Sequence, residues 1–110
     1  DVAFFTPAYA ASSITTANAL RGNRVGVAAV AFATGDFGWL QVKGIAGNIN
    51  VLASCAANVR LNTTATAGSL DDDATATSKQ IQGIYLTTAR GGTNGPAPGQ
   101  LLFPFVDATL

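Results

Sequence analysis

The chain has 110 residues, six basic and six acidic, with 48% apolar and only 11% charged side chains. That is the length of one domain, and a domain of this size buries roughly two-thirds of the surface its unfolded chain exposes. Charged residues stand at less than half the roughly 25% usual in soluble domains, so part of the surface is expected to be covered by other protein.

Balanced charge, and the lack of a basic run interleaved with aromatics, exclude the electrostatic footprint of a nucleic-acid binder. No apolar run approaches the ~20 residues of a membrane span, and no charged segment followed by an apolar core marks a signal peptide, so a soluble chain with no membrane partner is expected. The sequence has no Met and begins at Asp1, from which a processed or trimmed product is expected.

Residues 1–20 mix Phe4, Phe5 and Tyr9 with small hydroxylic residues and follow neither the helical nor the strand period. They predict an extended N-terminal arm ahead of a single β domain over 21–110. Pro7 pushes Thr6 toward extended geometry. The aromatic rings are too apolar to stay in water, and two placements are open: back on the arm's own domain, or on a neighbouring subunit.

Arg21-Gly22-Asn23 signals a turn, and Arg24 to Phe32, apolar on both faces, predicts a strand covered on both sides, inside a sheet or at a subunit contact. The stretch Gly35 to Gly44 holds the single Trp and reads as a loop running into a strand, with Leu40 and Val42 on one side and Trp39, Gln41 and Lys43 on the other. An antiparallel hairpin follows, its loop carrying Phe37 outward. Beyond Gly44 the apolar positions change parity, from Leu40 and Val42 to Ile45, Ile49 and Val51, which requires a bulge or tight turn near Gly44 or Gly47. Ile45 to Ala53 is the next strand. Val59 to Thr63 alternates, with Val59 and Leu61 inward and Arg60 and Asn62 outward. Gln80 to Thr88 is a further strand, Arg90 to Gly99 a flexible loop, and Gln100 to Val106 the closing strand, which lies at an edge or bends at Pro104.

The candidate chemistry is sparse. Cys55, within Ala53 to Ala57, has no second cysteine to pair with and no histidine to activate it, so a buried apolar role is expected. Asp71, Asp72 and Asp73 repel one another. Clustered carboxylate oxygens suit a hard cation such as calcium, but calcium loops space their ligands at alternate positions and close with a glutamate, which the chain lacks, so a solvated or interface loop indifferent to calcium is expected, with the cation site as the alternative. The glycines of 90–99 lack the Gly-Lys-Ser/Thr ending and following helix of a phosphate cradle. With no histidine, and Lys43 and Lys79 the only lysines, neither catalytic residues nor a cofactor are expected, and the protein is not read as an enzyme. The expected architecture is all-β: a small compact antiparallel β-barrel or sandwich with an extended N-terminal arm.

Gly38-Trp39-Leu40-Gln41-Val42-Lys43-Gly44, the run Leu61 to Thr75 with its Ala67-Gly68-Ser69-Leu70-Asp71-Asp72-Asp73, Ile81-Gln82-Gly83-Ile84 and Phe103-Pro104-Phe105-Val106 together resemble the capsid decoration, or cement, proteins of tailed bacteriophages. The resemblance spans residues 20–106 and rests on the order and spacing of the segments. It implies a compact β-rich domain, usually a homotrimer, on the outside of a mature head where shell subunits meet. The implied partners are the major capsid protein and copies of the chain itself, in the virion. A cement subunit works by burying apolar area and aromatic anchors between neighbours. On that reading the contact residues are Phe4, Phe5, Tyr9, Phe37, Trp39, Phe103 and Phe105. The alternative is a receptor- or glycan-binding virion appendage, a fibre or tail component in which Trp39, Tyr9 or Tyr85 stacks on a sugar.

Overall fold

The structure is a computed structural model that describes residues 1–6 and 10–110, so the expectation for Tyr9 lies outside the described residues. Those residues form nine strands and no helix: β1 (Val2–Phe5), β2 (Ala11–Ser13), β3 (Arg24–Ala28), β4 (Leu40–Gln41), β5 (Lys43–Val51), β6 (Leu61–Thr63), β7 (Leu70–Asp71), β8 (Lys79–Leu86) and β9 (Gly95–Thr109). The protein is all-β.

β9, at 15 residues the longest strand, pairs antiparallel with β5 on one side and β8 on the other. From β8 the pairing passes to β6, then β7, then back to β5, so the ladder runs in a closed circuit. The β5–β7 link is parallel and the other pairings among the described residues are antiparallel. β3 joins β9 through Arg24 opposite Phe105 and carries β4, and on its other side β1 and then β2.

Branched aliphatic side chains fill the centre, as the period-two pattern of the strands requires. Val2, Ile14, Val25, Val27, Ile49, Val51, Leu61, Leu70, Ile81, Leu86 and Val106 are sealed from solvent. Of the two placements open for residues 1–20, the described ones take the nearer: β1 lies against β3, Ile14 and Ala19 join the core, and Phe4 packs against it. The Val2 amide also bonds the Gly68 carbonyl at 2.9 Å, and the Ala28 amide the Asp1 carbonyl at 3.0 Å.

The parity change falls where the sequence requires it. The β5–β9 register shifts between Ala46 and Ile49, so Gly47 and Asn48 form the irregularity. Ahead of it the even residue Ala46 faces the core and Ile45 stays 78% exposed, which separates Ile45 from Ile49 and Val51, with which its parity groups it.

Three other expectations are corrected. β3 ends at Ala28, leaving Val30 and Phe32 exposed in the following loop instead of within a covered strand. β9 begins at Gly95, inside the expected loop; the missing N–H groups of Pro96 and Pro98 lie ahead of the β8 ladder, which starts at Gly99. Val59 is exposed and Asn62 buried, the reverse of what the alternation predicts for both: Val59 lies ahead of β6, and the acidic turn after β7 folds over Asn62, whose side-chain amide donates to the Asp73 carbonyl.

Candidate functional site

None of the eight described aromatic side chains is sealed inside the protein. Phe4 and Phe5 are half-buried, and Phe32, Tyr85, Phe105, Phe103, Trp39 and Phe37 are exposed in rising order. Rings of this size ordinarily anchor a core, since each buries roughly 150–250 Å². Here aliphatics do that and the aromatics are turned outward.

Two devices hold them there. The first is the connection between β3 and β4. Residues 29–39 are exposed without interruption. The Asp36 carboxylate accepts the Ala33 amide at 3.0 Å while the Asp36 amide donates to the Ala33 carbonyl at 3.0 Å, pinning a turn at Thr34 and Gly35. The Phe32 ring lies directly on Gly38, where a Cβ would fall 2.1 Å from its Cζ. The loop therefore has its own internal order, yet Phe37 and Trp39 leave it 99% and 90% exposed.

The second is a bulge in β9. Gln82 faces Phe105 and Ile84 faces Leu101, so one residue of β8, Gly83, is matched by the three residues Leu102, Phe103 and Pro104. Gly83 has φ +79°, and a side chain there would meet the Leu102 carbonyl at 2.5 Å. Phe103 itself has φ +47°, unusual for a bulky residue and a store of about 1–3 kcal/mol of strain. Its amide bonds the Val42 carbonyl at 2.7 Å. The bulge breaks the alternation so that Leu102 and Phe103 are both outside, at 66% and 60% exposure. The Lys43 ammonium stands 5.8 Å from the Phe103 ring centre.

The loop and the bulge face a common open groove of about 1590 Å³, lined by Phe5, Phe32, Phe37, Trp39, Phe103 and Phe105 among others. Five of the expected contact residues, Phe5, Phe37, Trp39, Phe103 and Phe105, thus share one surface, whereas Phe4 packs toward the core. Phe32 and Val30 also belong to the surface, where the sequence predicts strand, because the Ala-rich, turn-poor approach to Gly35 does not distinguish strand from ordered loop.

The acidic run lies elsewhere, beside Cys55. Cys55 Sγ and carboxylate oxygens of Asp71 and Asp72 are all within 4.8 Å of one another. Burial, reinforced by the Asp72 and Asp71 charges, pushes the Cys55 thiol up to about 12, so it is inert as a nucleophile. Burial also pushes the Asp71 carboxyl up to about 6, with the Asp72 side chain and Asp73 adding to the effect and the Asp72 amide opposing it. Comparison with family models, curated proteins and solved structures gave no match.

Proposed function

We propose that the chain is a structural subunit of a virion, a capsid decoration or cement protein built as a small β-barrel, that binds the outside of a phage head and bridges major capsid subunits. The observation that carries this reading is the inversion of the aromatics: an aliphatic core with Phe37, Trp39 and Phe103 held outward by an ordered loop and a strained bulge. Contiguous exposed apolar surface marks an interaction face. Burying one such ring is worth about 1.5–3 kcal/mol before the costs of association, and a symmetric lattice repeats the gain at every seat. The charges on this face, Asp1, Arg24 and Asp36 with Lys43 beside Phe103, are balanced in sign and would form the polar rim of a contact whose centre is aromatic, with a shell and with copies of the chain in a homotrimer.

The test is addition of the purified protein to expanded empty heads, followed by heating. Bound protein and a raised disruption temperature support the reading; heads that neither bind it nor gain heat resistance overturn it. The exposure of Trp39, at 90%, favours a second reading, a glycan-binding appendage in which that ring stacks on a sugar. A glycan array without hits removes it.

A further inference from the structure

We propose that Asp71, Asp72 and Asn62 form a binding site for one hard divalent cation of the calcium class, through carboxylate and carboxamide oxygens. The three residues come from adjoining segments. Asn62 and Asp71 are direct partners across the β6–β7 pair, so their side chains stand on the same face. The Asn62 Nδ2 donates to the Asp73 carbonyl at 3.0 Å, which fixes the carboxamide over the acidic turn. Its Oδ1 is fully enclosed and has no hydrogen-bond partner, on a residue only 4% exposed.

An enclosed acceptor left without a donor costs about 1–3 kcal/mol, and native proteins rarely leave one so. The carboxylates of Asp71, on the same face, and of Asp72, within 4.8 Å of that of Asp71, are acceptors as well. Asp71 Oδ1 receives the Asp72 amide at 2.9 Å, and Asp72 Oδ2 receives the Ala56 amide at 3.0 Å. One ion pair is found among the described residues, Arg21 with Asp107, so no cation of the protein answers this cluster. The Asp72 and Ala56 amides each occupy one lone pair, which leaves the other carboxylate oxygens and Asn62 Oδ1 as the oxygen acceptors a hard cation requires, and water completes the six to eight ligands on the partly exposed side of Asp72. Cys55 Sγ lies within 4.8 Å of both carboxylates and walls the site, but sulfur is a poor donor to a hard cation and is not counted among the ligands. A bound ion would tie the β5–β6 connection at Ala56 to β6 and β7. This site is independent of the aromatic surface, so it stands or falls apart from the proposed function.

Differential scanning calorimetry of the full chain at pH 7.5, in calcium chloride and then in EGTA, tests it, with titration calorimetry for stoichiometry. Calcium at millimolar concentration is expected to raise Tm by about 5 °C or more, with one ion per chain. Asp71→Asn and Asp72→Asn keep an oxygen for the amides of Asp72 and Ala56, so both should fold. Each should lose the calcium response while melting in EGTA at or above the wild-type temperature, because repulsion is relieved. A wild-type Tm indifferent to calcium overturns the proposal. So does a response that both variants retain, which would locate the ion elsewhere. A response to zinc alone, with thiolate absorption from Cys55, also overturns it in favour of a sulfur-ligated site.

Discussion

At the scale of single residues the molecule separates side chains that hold it together from side chains that face outward. Trp39 touches little of its own domain, so Trp39→Ala should change the stability of the isolated chain by no more than about 0.5 kcal/mol, read by chemical denaturation. The same change should weaken binding to heads at least about tenfold if the ring is an anchor. Phe4 is the reverse case. It packs against the core, and Phe4→Ala should lower stability by about 2 kcal/mol in the isolated chain. Asp71 supplies a pH dependence whose sign is fixed by its raised carboxyl, about 6 against 3.8 when unfolded. Its protonated form is favoured by folding, so its contribution is complete below pH 3.8 and is lost as pH rises through about 6. In EGTA, Tm should therefore rise as pH is lowered from 7 toward 5, and Asp71→Asn should flatten that slope; a slope unchanged in the variant would assign it to another group.

At the scale of elements the β9 bulge is the feature on which display depends. Gly83 in β8 leaves space for the Leu102 carbonyl, and only with that space can β9 carry three residues against one. Gly83→Ala would place a Cβ 2.5 Å from that carbonyl at φ +79°, and should cost about 2 kcal/mol or more in thermal or chemical unfolding. If the bulge presents Phe103 to a partner, this variant should lose binding beyond what its lower stability explains, measured well below its melting temperature. The β3–β4 loop behaves differently. Its Asp36 turn and the Phe32–Gly38 stack are local, so Asp36→Ala should loosen the loop and raise its protease sensitivity while the core melts nearly as before.

At the scale of the whole molecule, zero net charge and an aromatic face predict association that depends on apolar burial more than on steering. Binding to heads should change little between about 50 and 500 mM salt, beyond the reach of screened charges. Light scattering of the purified chain should give the mass of a trimer on the proposed reading; a strict monomer at high concentration would remove the self-partner.

The all-β class, the hairpin that presents Phe37, and the need for an irregularity near Gly44 or Gly47 were legible in the sequence, because each follows from patterns along a local stretch. So was the burial of Cys55, from its small, mostly apolar neighbours over Ala53 to Ala57. Which strands become neighbours was settled only by the folded chain. Asn62 reads as an outward residue in its own strand, and it is buried because the acidic turn after β7 folds over it and Asp73, eleven residues on, accepts its amide. Likewise Phe103 is turned out by a glycine twenty residues earlier. Periodicity reports which side of a strand a residue is on; which of those sides is covered depends on pairings between distant segments, and no local pattern carries that information.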